Sequence, residues 1–499
     1  PLILYKTVRC NNVKITNSMK KYHCQSFLSL LLLTCLISCN HKPYLNGDLV
    51  LTNINIVDVR NGEIIPNQDI VIVDKQIAHI VQTNKYHLKA DSLIDGKGLY
   101  IIPGLWDMHV HVRQFEKTFF PLFIAHGVTG IRDMFNPVID EIGAWKDSVN
   151  QAVGLTPRVG LVAGRLVDGI KGRNWPGSIV LDGVDSVREK VIEVAQAKGY
   201  DFIKVYGALS ASQLEAISDK AQEVGLTIAG HLPMEVPLKH AIVLGQKSIE
   251  HLQGFHIAMS TGNEFLLAEI KNVRESKGGW AAVIAYWQGE ALATQQRDST
   301  KVKEIMSLLK EKGVYPCTSV FYMSHQQINN PHETIDPEVF GFDYYPDSLV
   351  EQYTRQLKQS NSPEQRDQFK LTYTGNLQLI RDFERYEVPF LAGTDASPTR
   401  PVLPGRSLHQ ELQLMQESGV KPATILKSAT IYPAQFMQAE DKYGTVEEGK
   451  MADLVLLNQN PLNDIAHAQK INAVILKGEF YSKRQLEVAL QTIRKKAVR

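Results

Sequence analysis

The chain has 499 residues, of which 44% are hydrophobic and 21% are charged, and its formal net charge is +1. This length allows a large buried core and predicts two domains, although an α/β barrel can occupy about 250 residues by itself. The nearly balanced charge, without a basic stripe or a block of like charge, argues against a nucleic acid as a partner.

The N-terminal segment has the layout of an export signal. Residues 1–38 contain Lys20 and Lys21, followed by an apolar run from Phe27 to Ile37 that is too short to span a bilayer comfortably. The run ends in Leu-Ile-Ser-Cys at Cys39, which resembles the lipobox of bacterial lipoproteins. We therefore expect an exported protein attached to a membrane through lipidated Cys39, on the periplasmic or cell-surface side. A plain cleaved signal with an incidental cysteine is the alternative.

Cysteine is scarce in the rest of the chain. Of the five cysteines, Cys10, Cys24, Cys35 and Cys39 lie in this N-terminal part, and Cys317 is the remaining one. These numbers exclude a disulfide framework and a zinc site built from several thiolates.

The two ends of the body are rich in predicted strands. Residues 44–104 include "DLVLTNINIVDV" and "DIVIVDKQIAHIV", and residues 441–485 include "GTVEEGKMADLVLLN" and "INAVILKGEFY". We expect these strands to pair and to form one small β domain from both ends of the chain.

Residues 105–440 alternate predicted strands with helical periodicity. "SVREKVIEVAQAKG" and "ASQLEAISDKAQEVG" show apolar residues at three-to-four spacing and a terminal Gly, which is typical of amphipathic helices. With the strand that carries His109, the predicted strands number eight. The other seven are 127–134, 158–166, 201–206, 226–232, 248–252, 314–321 and 388–397.

Eight strand-helix units predict an α/β fold with a parallel (β/α)8 TIM barrel, whose reactive groups lie at the C-terminal ends of the strands. Two stretches, 253–310 and 322–380, are too long to be simple connections. Such insertions at that end of a barrel commonly form lids or walls of a substrate pocket.

The first barrel strand, "LWDMHVHVRQ" at 105–114, carries two histidines one residue apart. Side chains at i and i+2 of a strand point the same way, so His109 and His111 share a face beside Asp107. Two neutral imidazoles on one face can chelate a metal ion, although a pair of hydrogen-bonded histidines near a surface fits this short motif as well.

Other polar residues at the predicted strand ends favour the metal site. Lys204 lies in the fourth strand, and His231, His251 and Asp395 end the fifth, sixth and eighth strands. Together with the histidine pair, they give six candidate ligands at one mouth. Taken singly, His231 could be a cap or loop residue, Asp395 a turn former, and His251 a core histidine paired with Glu250.

Lys204 is unusual among these candidates because an ammonium group repels divalent cations. A buried lysine tends to lose its proton, and the neutral amine can add carbon dioxide to give an anionic carbamate that bridges two ions. Two divalent ions with carbamate, Asp395 and hydroxide give a site of about +1. The alternative is an unmodified Lys204 that binds a substrate carboxylate beside a single metal.

These segments together resemble the amidohydrolase superfamily, in the branch of imidazolonepropionase-like enzymes and metal-dependent Xaa-Pro dipeptidases. The resemblance extends from about residue 47 to residue 480. The motifs that carry it are "PGLWDMHVH", "GVTGIRDM", "WPGSI", "DFIKVY", "AGHLP", "SIEHL", "GTDAS", "SLHQELQLMQESGVKPATILKSAT" and "GTVEEGKMADLVLLNQNPLNDI".

The resemblance implies a distorted (β/α)8 barrel carrying a β-sandwich made from both termini. It also implies that His109 and His111 bind the more buried of two ions, and that His231 and His251 bind the outer one. Carboxylated Lys204 would bridge them, and Asp395 would contact metal and water. The cofactor would be Zn²⁺ or another divalent metal, two per chain. The two long insertions depart from the family and leave the substrate open.

The expected chemistry is hydrolysis of a carbon-nitrogen bond. A bound divalent metal lowers the pKa of its water to roughly 7, and Asp395 would shuttle the proton from the resulting nucleophile to the leaving nitrogen. Tyr206, on the same strand face as Lys204, is either a donor to the oxyanion or a packed aromatic residue.

Several further residues have roles that the sequence leaves open. We expect Arg132 and Asp133 to form a structural pair, His126 to end a helix, and His409 to support Asp395. His325 and His332 lie in the second insertion and could reach a substrate or simply be solvated.

Three functions remain open at this point: hydrolysis of a small amide, a dipeptidase such as an Xaa-Pro dipeptidase, and a non-catalytic metal-binding surface lipoprotein. A dipeptidase needs a cation for the substrate carboxylate, for which Arg165, Arg173 and Arg400 are candidates. Hydrolysis of an organophosphate or a lactone by the same metal pair is also chemically open. The partner is therefore a small-molecule amide or dipeptide, and the oligomeric state is not predicted.

Overall fold

The computed structural model describes residues 42–112, 115–170, 172, 175–321, 335–358 and 362–497. The predicted signal at 1–38 and Cys39 lie outside the described residues, and so do Arg173, His325 and His332. The strands are β1 Tyr44–Asp58, β2 Glu63–Val73, β3 Gln76–Gln82, β4 His87–Asp95, β5 Tyr100–Pro103, β6 Leu105–Val110, β7 Val128–Asp133, β8 Arg158–Val162, β9 Val167–Gly169, β10 Ile179–Leu181, β11 Phe202–Val205, β12 Thr227–Gly230, β13 Gln246–Glu250, β14 Tyr315–Cys317, β15 Leu454–Leu457, β16 Ile471–Leu476 and β17 Glu479–Ser482.

The first sheet joins the two ends of the described chain. Its eight strands run in the order β17-β16-β15-β5-β1-β2-β3, and β4 pairs with β1 outside this path. The antiparallel pair of β15 with β5 brings Leu454 opposite Pro103 and Leu457 opposite Tyr100. Alternate residues of these strands face a separate apolar cluster that includes Leu51, Ile70 and Leu456.

The middle of the chain forms two parallel sheets. One has the order β6-β7-β8, and the other has the order β10-β9-β11-β12-β13-β14. Every residue of β6, β7 and β11 is buried, which is typical of parallel strands covered on both faces by other elements.

Backbone hydrogen bonds connect the two parallel sheets. Asp201, just before β11, donates its N–H to the carbonyl of Val162 in β8 at 2.9 Å. At the other edge, Thr318 after β14 donates to Leu391 at 2.9 Å, and Met108 in β6 donates to Ala392 at 2.9 Å. The path of hydrogen bonds therefore returns to β6 through the segment around residues 391–396.

The prediction of a regular strand at 388–397 is wrong. This segment makes isolated bridges, Cys317 with Leu391 and Val110 with Ala396, and it is not a continuous strand. Asp395 has a φ of +60°, so the extended conformation is interrupted between the two bridges. The segment still occupies the position between β14 and β6 that the sequence assigned to it.

The helices cover the parallel strands and make up most of the described part of both insertions. They are α1 Glu116–Ala125, α2 Ile142–Gln151, α3 Val194–Lys198, α4 Ala211–Glu223, α5 Leu238–Val243, α6 Phe255–Ala258, α7 Asn263–Lys277, α8 Gly279–Thr294, α9 Ser299–Lys312, α10 Pro337–Phe340, α11 Asp347–Lys358, α12 Pro363–Arg385, α13 Arg406–Glu417, α14 Pro422–Ser428, α15 Ile431–Phe436 and α16 Lys483–Ala497. A π-helical turn, Arg188–Glu193, precedes α3, and 3-10 turns occupy Phe342–Tyr344 and Ile465–Gln469.

Local sequence explains where several of these helices begin and end. Ser210 and Gln213 form a reciprocal capping box at the start of α4. Gly199, with a φ of +71°, ends α3, as its position after a periodic segment predicts. Ser362 and Gln365 form a second capping box at α12, whose 23 residues make it the longest helix of the second insertion.

No helix among the described residues is both long enough and apolar enough to cross a bilayer.

Candidate functional site

His109 of β6 and His111, just after that strand, lie beside the carboxylate of Asp395. The N–H of Asp395 donates to the carbonyl of His109 at 2.8 Å, so the segment around Asp395 follows β6 at the position of the histidine pair. An oxygen of Asp395 then lies 3.0 Å from Nε2 of His111 and 3.6 Å from Nε2 of His109. The centre of the site therefore combines the histidine pair with Asp395, which lies 284 or more positions farther along the sequence.

His109 is held with one ring nitrogen committed and the other available. Its Nδ1 lies 2.7 Å from the carboxylate of Glu250, which fixes the proton on Nδ1. Its Nε2 is buried and has no hydrogen-bond partner among the described residues. Burial holds the pKa of His109 well below its usual value, and the positive charge of Lys204 acts in the same direction. His109 is therefore neutral, with a free lone pair directed toward Asp395.

Glu250 is itself fixed by a buried arginine. The guanidinium of Arg132 donates to both carboxylate oxygens at 2.9 Å and to Ser248 at 2.9 Å. The expected pair of Arg132 with Asp133 is wrong, because neighbouring residues of β7 point to opposite faces. Asp133 instead accepts from the side chain of Asn136 at 3.1 Å.

His231 and His251 extend the cluster from the ends of β12 and β13. Their Nε2 atoms are 3.2 Å apart, and the ring of His251 lies 4.6 Å from that of His109 between centroids. The Oγ of Ser319 lies 2.5 Å from Nδ1 of His251. The alternative that His251 pairs with Glu250 is wrong, since Glu250 faces His109 on the opposite side of β13.

Two of these residues adopt a backbone conformation that ordinary side chains rarely take. The φ angles of His251 and Asp395 are both +60°. Non-glycine residues in this region cost about 1–3 kcal/mol and persist where surrounding contacts enforce them, commonly at functional sites. His251 follows β13 directly, Asp395 lies between the two isolated bridges, and both side chains contact the cluster.

Lys204 is buried at the base of the same cluster. Lys204 is 2% exposed and lies within β11, where its backbone pairs with that of Ala229 in β12. Lys204 also lines a small cavity of about 40 Å³ together with His111, His231, His251 and Asp395. Five of the six predicted ligands therefore border this one space, and the sixth, His109, contacts Asp395 beneath it.

Tyr206 and Trp175 border the cluster on the side of His231. The ring of Tyr206 lies 4.1 Å from that of His231, and its hydroxyl accepts a hydrogen bond from the indole of Trp175 at 2.9 Å. Tyr206 keeps its own hydroxyl hydrogen for another acceptor, so its geometry is compatible with the predicted role at an oxyanion.

Arg400 lies at the mouth of the site. Its guanidinium forms an ion pair with the outer oxygen of Asp395. Arg165, another candidate for a substrate carboxylate, donates to the backbone carbonyls of Gly177 and Ser178. Arg400 is thus the better placed of the two described candidates.

The remaining candidate residues have structural partners. His409 lies 2.7 Å from the carbonyl of His126, so the expected contact with Asp395 is replaced by one with the end of α1. His126 follows α1 as predicted, and its Nδ1 lies 2.8 Å from the carbonyl of Leu122. Burial raises the pKa of Cys317 well above its usual value, so this cysteine packs as a thiol near His109.

The donor set fits a divalent metal ion. His109, His111 and Asp395 each offer a ligand atom, and these atoms lie within 4.8 Å of one another. Imidazole nitrogens with a carboxylate are a common ligand set for zinc. Two nitrogens on one tetrahedral zinc lie roughly 3.3 Å apart, and the Nε2 atoms of His231 and His251 are 3.2 Å apart. The buried Nε2 of His109 would also gain the partner that it lacks.

A larger cavity of about 530 Å³ opens above the cluster. This volume suits a small organic ligand. Both insertions contribute to its wall, through Trp280, Tyr286 and Glu290 of α8 and through Phe369 and Asn376 of α12. The described residues of both insertions therefore border this cavity, and their role as walls of a substrate pocket stays a prediction.

Sequence patterns pointed to the ligands but missed the residues that hold or surround them. The sequence offered Glu250 only as an alternative partner of His251, although alternation along β13 places it on the face opposite His251. Ser319 carried no recognisable signal, and Trp175 belongs to the motif "WPGSI" but had no predicted role, because each acts through a contact with a residue 31 or more positions away. Glu290 lies in an insertion whose helical pattern is equally compatible with a surface helix.

Comparison with known proteins gives a consistent result. The sequence model of the Amidohydrolase family matches residues 100–480. Adenine deaminase 1 of Latilactobacillus sakei subsp. sakei (strain 23K) is 22% identical over 297 residues, which are 55% of this chain and 49% of that protein. The chain therefore spans about half the length of that curated relative.

Two solved structures are similar over most of the chain. The crystal structure of a Xaa-Pro dipeptidase with bound methionine has a TM-score of 0.61 at 20% identity, and covers 87% of this chain and 99% of its own. A bottromycin amidohydrolase has a TM-score of 0.66 at 19% identity and covers 90% of each chain. At this identity the likeness concerns the fold.

Proposed function

Because the chain belongs to the amidohydrolase family, we propose that it hydrolyses a carbon-nitrogen bond of a small molecule at the cluster of His109, His111 and Asp395. The single observation that carries the proposal is this convergence of ligand atoms within 4.8 Å at the base of an open cavity. Amide hydrolysis needs an activated water and a proton carrier, and the cluster offers residues suited to both.

The metal would be Zn²⁺ or a similar divalent ion, two per chain. His109, His111 and Asp395 would hold one ion, and His231 and His251 the other, with Lys204 between them as a carbamate. The carbamate forms when the neutral Lys204 amine adds to carbon dioxide and releases one proton to solvent. A bound divalent ion supplies a water of pKa roughly 7 and polarises a substrate carbonyl.

The protein's own residues would then orient and move protons. Glu250 and Ser319 keep His109 and His251 in the orientation that directs Nε2 inward. The carboxylate of Asp395 takes a proton from the attacking water and delivers it to the leaving nitrogen. The hydroxyl of Tyr206 donates to the oxygen that becomes negative.

The fold assigned to this function is a distorted (β/α)8 barrel with a β-sandwich from both ends of the chain. Supporting it, the hydrogen-bonded path of parallel segments returns to β6, and strands from both ends share the first sheet. Export and lipid attachment through Cys39 complete the proposal and would place the enzyme at a membrane surface.

The substrate is proposed to be an amide or a dipeptide. Arg400 favours the dipeptide because its guanidinium lies at the mouth and could receive a terminal carboxylate when Asp395 contacts metal. Adenine deaminase relatives favour removal of an amino group from a nitrogen heterocycle as a second candidate, for which the aromatic wall around Trp280 is suitable.

The test combines metal analysis with a substrate screen. We expect about two divalent ions per purified chain, and release of amine or ammonia from members of a panel of dipeptides, N-acyl amino acids and aminopurines. Lys204→Ala should lower the metal content, and Asp395→Asn should abolish turnover.

The exposed Asp147→Asn is the matched control and should change neither readout. Equal metal content in Lys204→Ala and the parent would remove the bridging role. Full metal content without turnover of any panel member would favour a non-catalytic metal-binding surface protein instead.

A further inference from the structure

Two polar side chains in the wall of the large cavity take no part in the proposed hydrolysis. Glu290 and Tyr286 lie four residues apart in α8, on one face of that helix, and both line the cavity. Glu290 is 5% exposed and Tyr286 is 4% exposed. The Glu290 carboxyl group accepts backbone N–H groups from Gly254, His256 and Ile257. Any polar atom that stays buried without a partner is costly.

Both groups have hydrogen-bonding atoms left over. Oε1 of Glu290 and the hydroxyl of Tyr286 are buried and have no hydrogen-bond partner among the described residues. Native proteins leave few such atoms, and two on one helix face bordering a cavity indicate a ligand that would complete them.

The surroundings define the charge of that ligand. Of the acidic residues lining the cavity, Asp395 is paired with Arg400, and Asp168 accepts hydrogen bonds from the backbone N–H groups of Gly169 and Ala208. Within the described part of the chain, no lysine or arginine forms an ion pair with Glu290. This side of the cavity therefore has an excess of acceptor groups, which favours a ligand with N–H donors and positive charge.

Aromatic rings border the same region. Trp287 contacts Trp280 at 5.8 Å and Phe369 at 5.7 Å between ring centroids, and all three line the cavity. Trp280 is 58% exposed, which is unusual for so large an apolar side chain in a cavity wall. Aromatic faces attract organic cations, so rings beside a carboxylate are suited to an ammonium group on an apolar body.

We propose that Glu290 and Tyr286 bind the ammonium group of the substrate and so determine its specificity. This proposal adds a substrate class to the proposed function, and it rests on that function only in assuming that this cavity receives the substrate. The substrate class is then an amide or dipeptide with a free amino group beside an apolar side chain. Burial raises the pKa of Glu290 to about 8, which shows how strongly the free site disfavours an unpaired negative charge.

The first experiment measures binding without turnover. Phenethylamine and 2-phenylethanol have the same apolar body and differ in the charged group, and their binding can be followed by the fluorescence of Trp175, Trp280 and Trp287 in the cavity. In the parent protein we expect the amine to bind about tenfold more tightly than the alcohol. Equal affinities would overturn the proposal.

Glu290→Gln should remove this preference, because the amide keeps the shape of the side chain but cannot carry charge. The exposed Glu269→Gln in the neighbouring helix α7 is the matched control and should keep the preference. Suppose that Glu290 is purely structural and only accepts hydrogen bonds from the backbone near Gly254. Glu290→Gln would then lower the stability of the protein and leave the ratio of amine affinity to alcohol affinity unchanged. That result would also overturn the proposal.

The second experiment compares dipeptides that have a free amino terminus with their N-acetylated forms. Glu290→Gln should lower kcat/KM about tenfold for the free series and leave the acetylated series within about twofold of the parent. If neither series is hydrolysed by any variant, the dipeptide form of the proposed function fails, while the binding experiment still decides the role of Glu290.

Discussion

Ser319 and Glu250 show how single residues prepare the metal ligands. Each lies against Nδ1 of a histidine, Ser319 against His251 and Glu250 against His109. Because a hydrogen-bonded Nδ1 leaves the Nε2 lone pair free, these two contacts decide which nitrogen can bind metal. Neither residue needs to touch the metal or the substrate to affect both.

Ser319→Ala should weaken binding at the site of His251. Loss of a partner behind a ligating histidine typically costs about 10–100-fold in metal affinity. The measurement is metal content per chain during titration with a chelator. Ser407→Ala is the control, because Ser407 is buried as well but donates to the carbonyl of Leu403, which precedes α13. Identical chelator curves for the two variants would contradict the prediction.

Glu290 should make stability depend on pH. Burial raises its pKa from 4.5 to about 8, so between these values the folded state holds a proton that the unfolded state has lost. The free energy of unfolding therefore falls as pH rises through this window and levels off above pH 8.

Between pH 5 and pH 8 this residue should remove on the order of 4 kcal/mol of stability. Denaturant unfolding of the parent and of Glu290→Gln at both pH values gives the difference that belongs to Glu290. The variant should lose less stability over this range, and parallel pH curves for the two proteins would refute the assignment.

Close contacts between neighbouring segments of the chain hold the metal ligands in place. The segment around residues 391–396 lies between β14 and β6, and a side-chain carbon at Gly393 would lie 2.7 Å from the sulfur of Cys317 and 2.8 Å from Cβ of His109. These distances are too short for real contacts, so only glycine lets the three segments approach this closely.

Gly393→Ala should displace His109 and with it the metal. Overpacking of a tight core costs about 1–3 kcal/mol, and we expect lower metal content together with a lower Tm. Gly183→Ala is the control, because its added carbon meets no atom within 4 Å and its backbone needs no left-handed conformation. Metal content in Gly393→Ala equal to that in Gly183→Ala would show that the segments can separate without harm.

One aspartate connects the sheet formed by the two ends of the described chain with the parallel strands. Asp453, just before β15, forms an ion pair with Arg158 of β8 and accepts from the N–H of Lys477 at 2.6 Å. The Nζ of Lys477 donates to the carbonyls of Val149 and Ala152 at 3.2 Å and 2.9 Å. This network is mostly buried, so its charges are weakly screened by solvent.

Asp453→Asn should loosen this connection. Removing one partner of a buried ion pair commonly costs about 3–5 kcal/mol, because the other charge stays buried. Calorimetry should show a lower Tm, or two transitions in place of one. Glu223→Gln, which breaks the exposed pair with Arg188, should leave the melting curve unchanged. Equal curves for both variants would remove Asp453 from this role.

The sequence predicted the parallel strands except the short β9 and β10, and the kinds of side chain at their ends, because hydrophobic periodicity and residue chemistry are local properties. It also placed His109 and His111 on one face, since that follows from the two-residue repeat of a strand. The irregular path of residues 388–397 escaped prediction, because the left-handed Asp395 is held by a backbone hydrogen bond to His109, which is far away in the sequence.

The α/β class, the order of most strands and the candidate ligands can be read from the sequence alone. The folded chain is needed to show that Glu250 supports His109, that Arg400 pairs with Asp395, and that Glu290 enters the cavity from the first insertion. His109 and Glu250 are 141 residues apart, and contacts between such distant residues depend on how helices and strands pack, which no local pattern encodes.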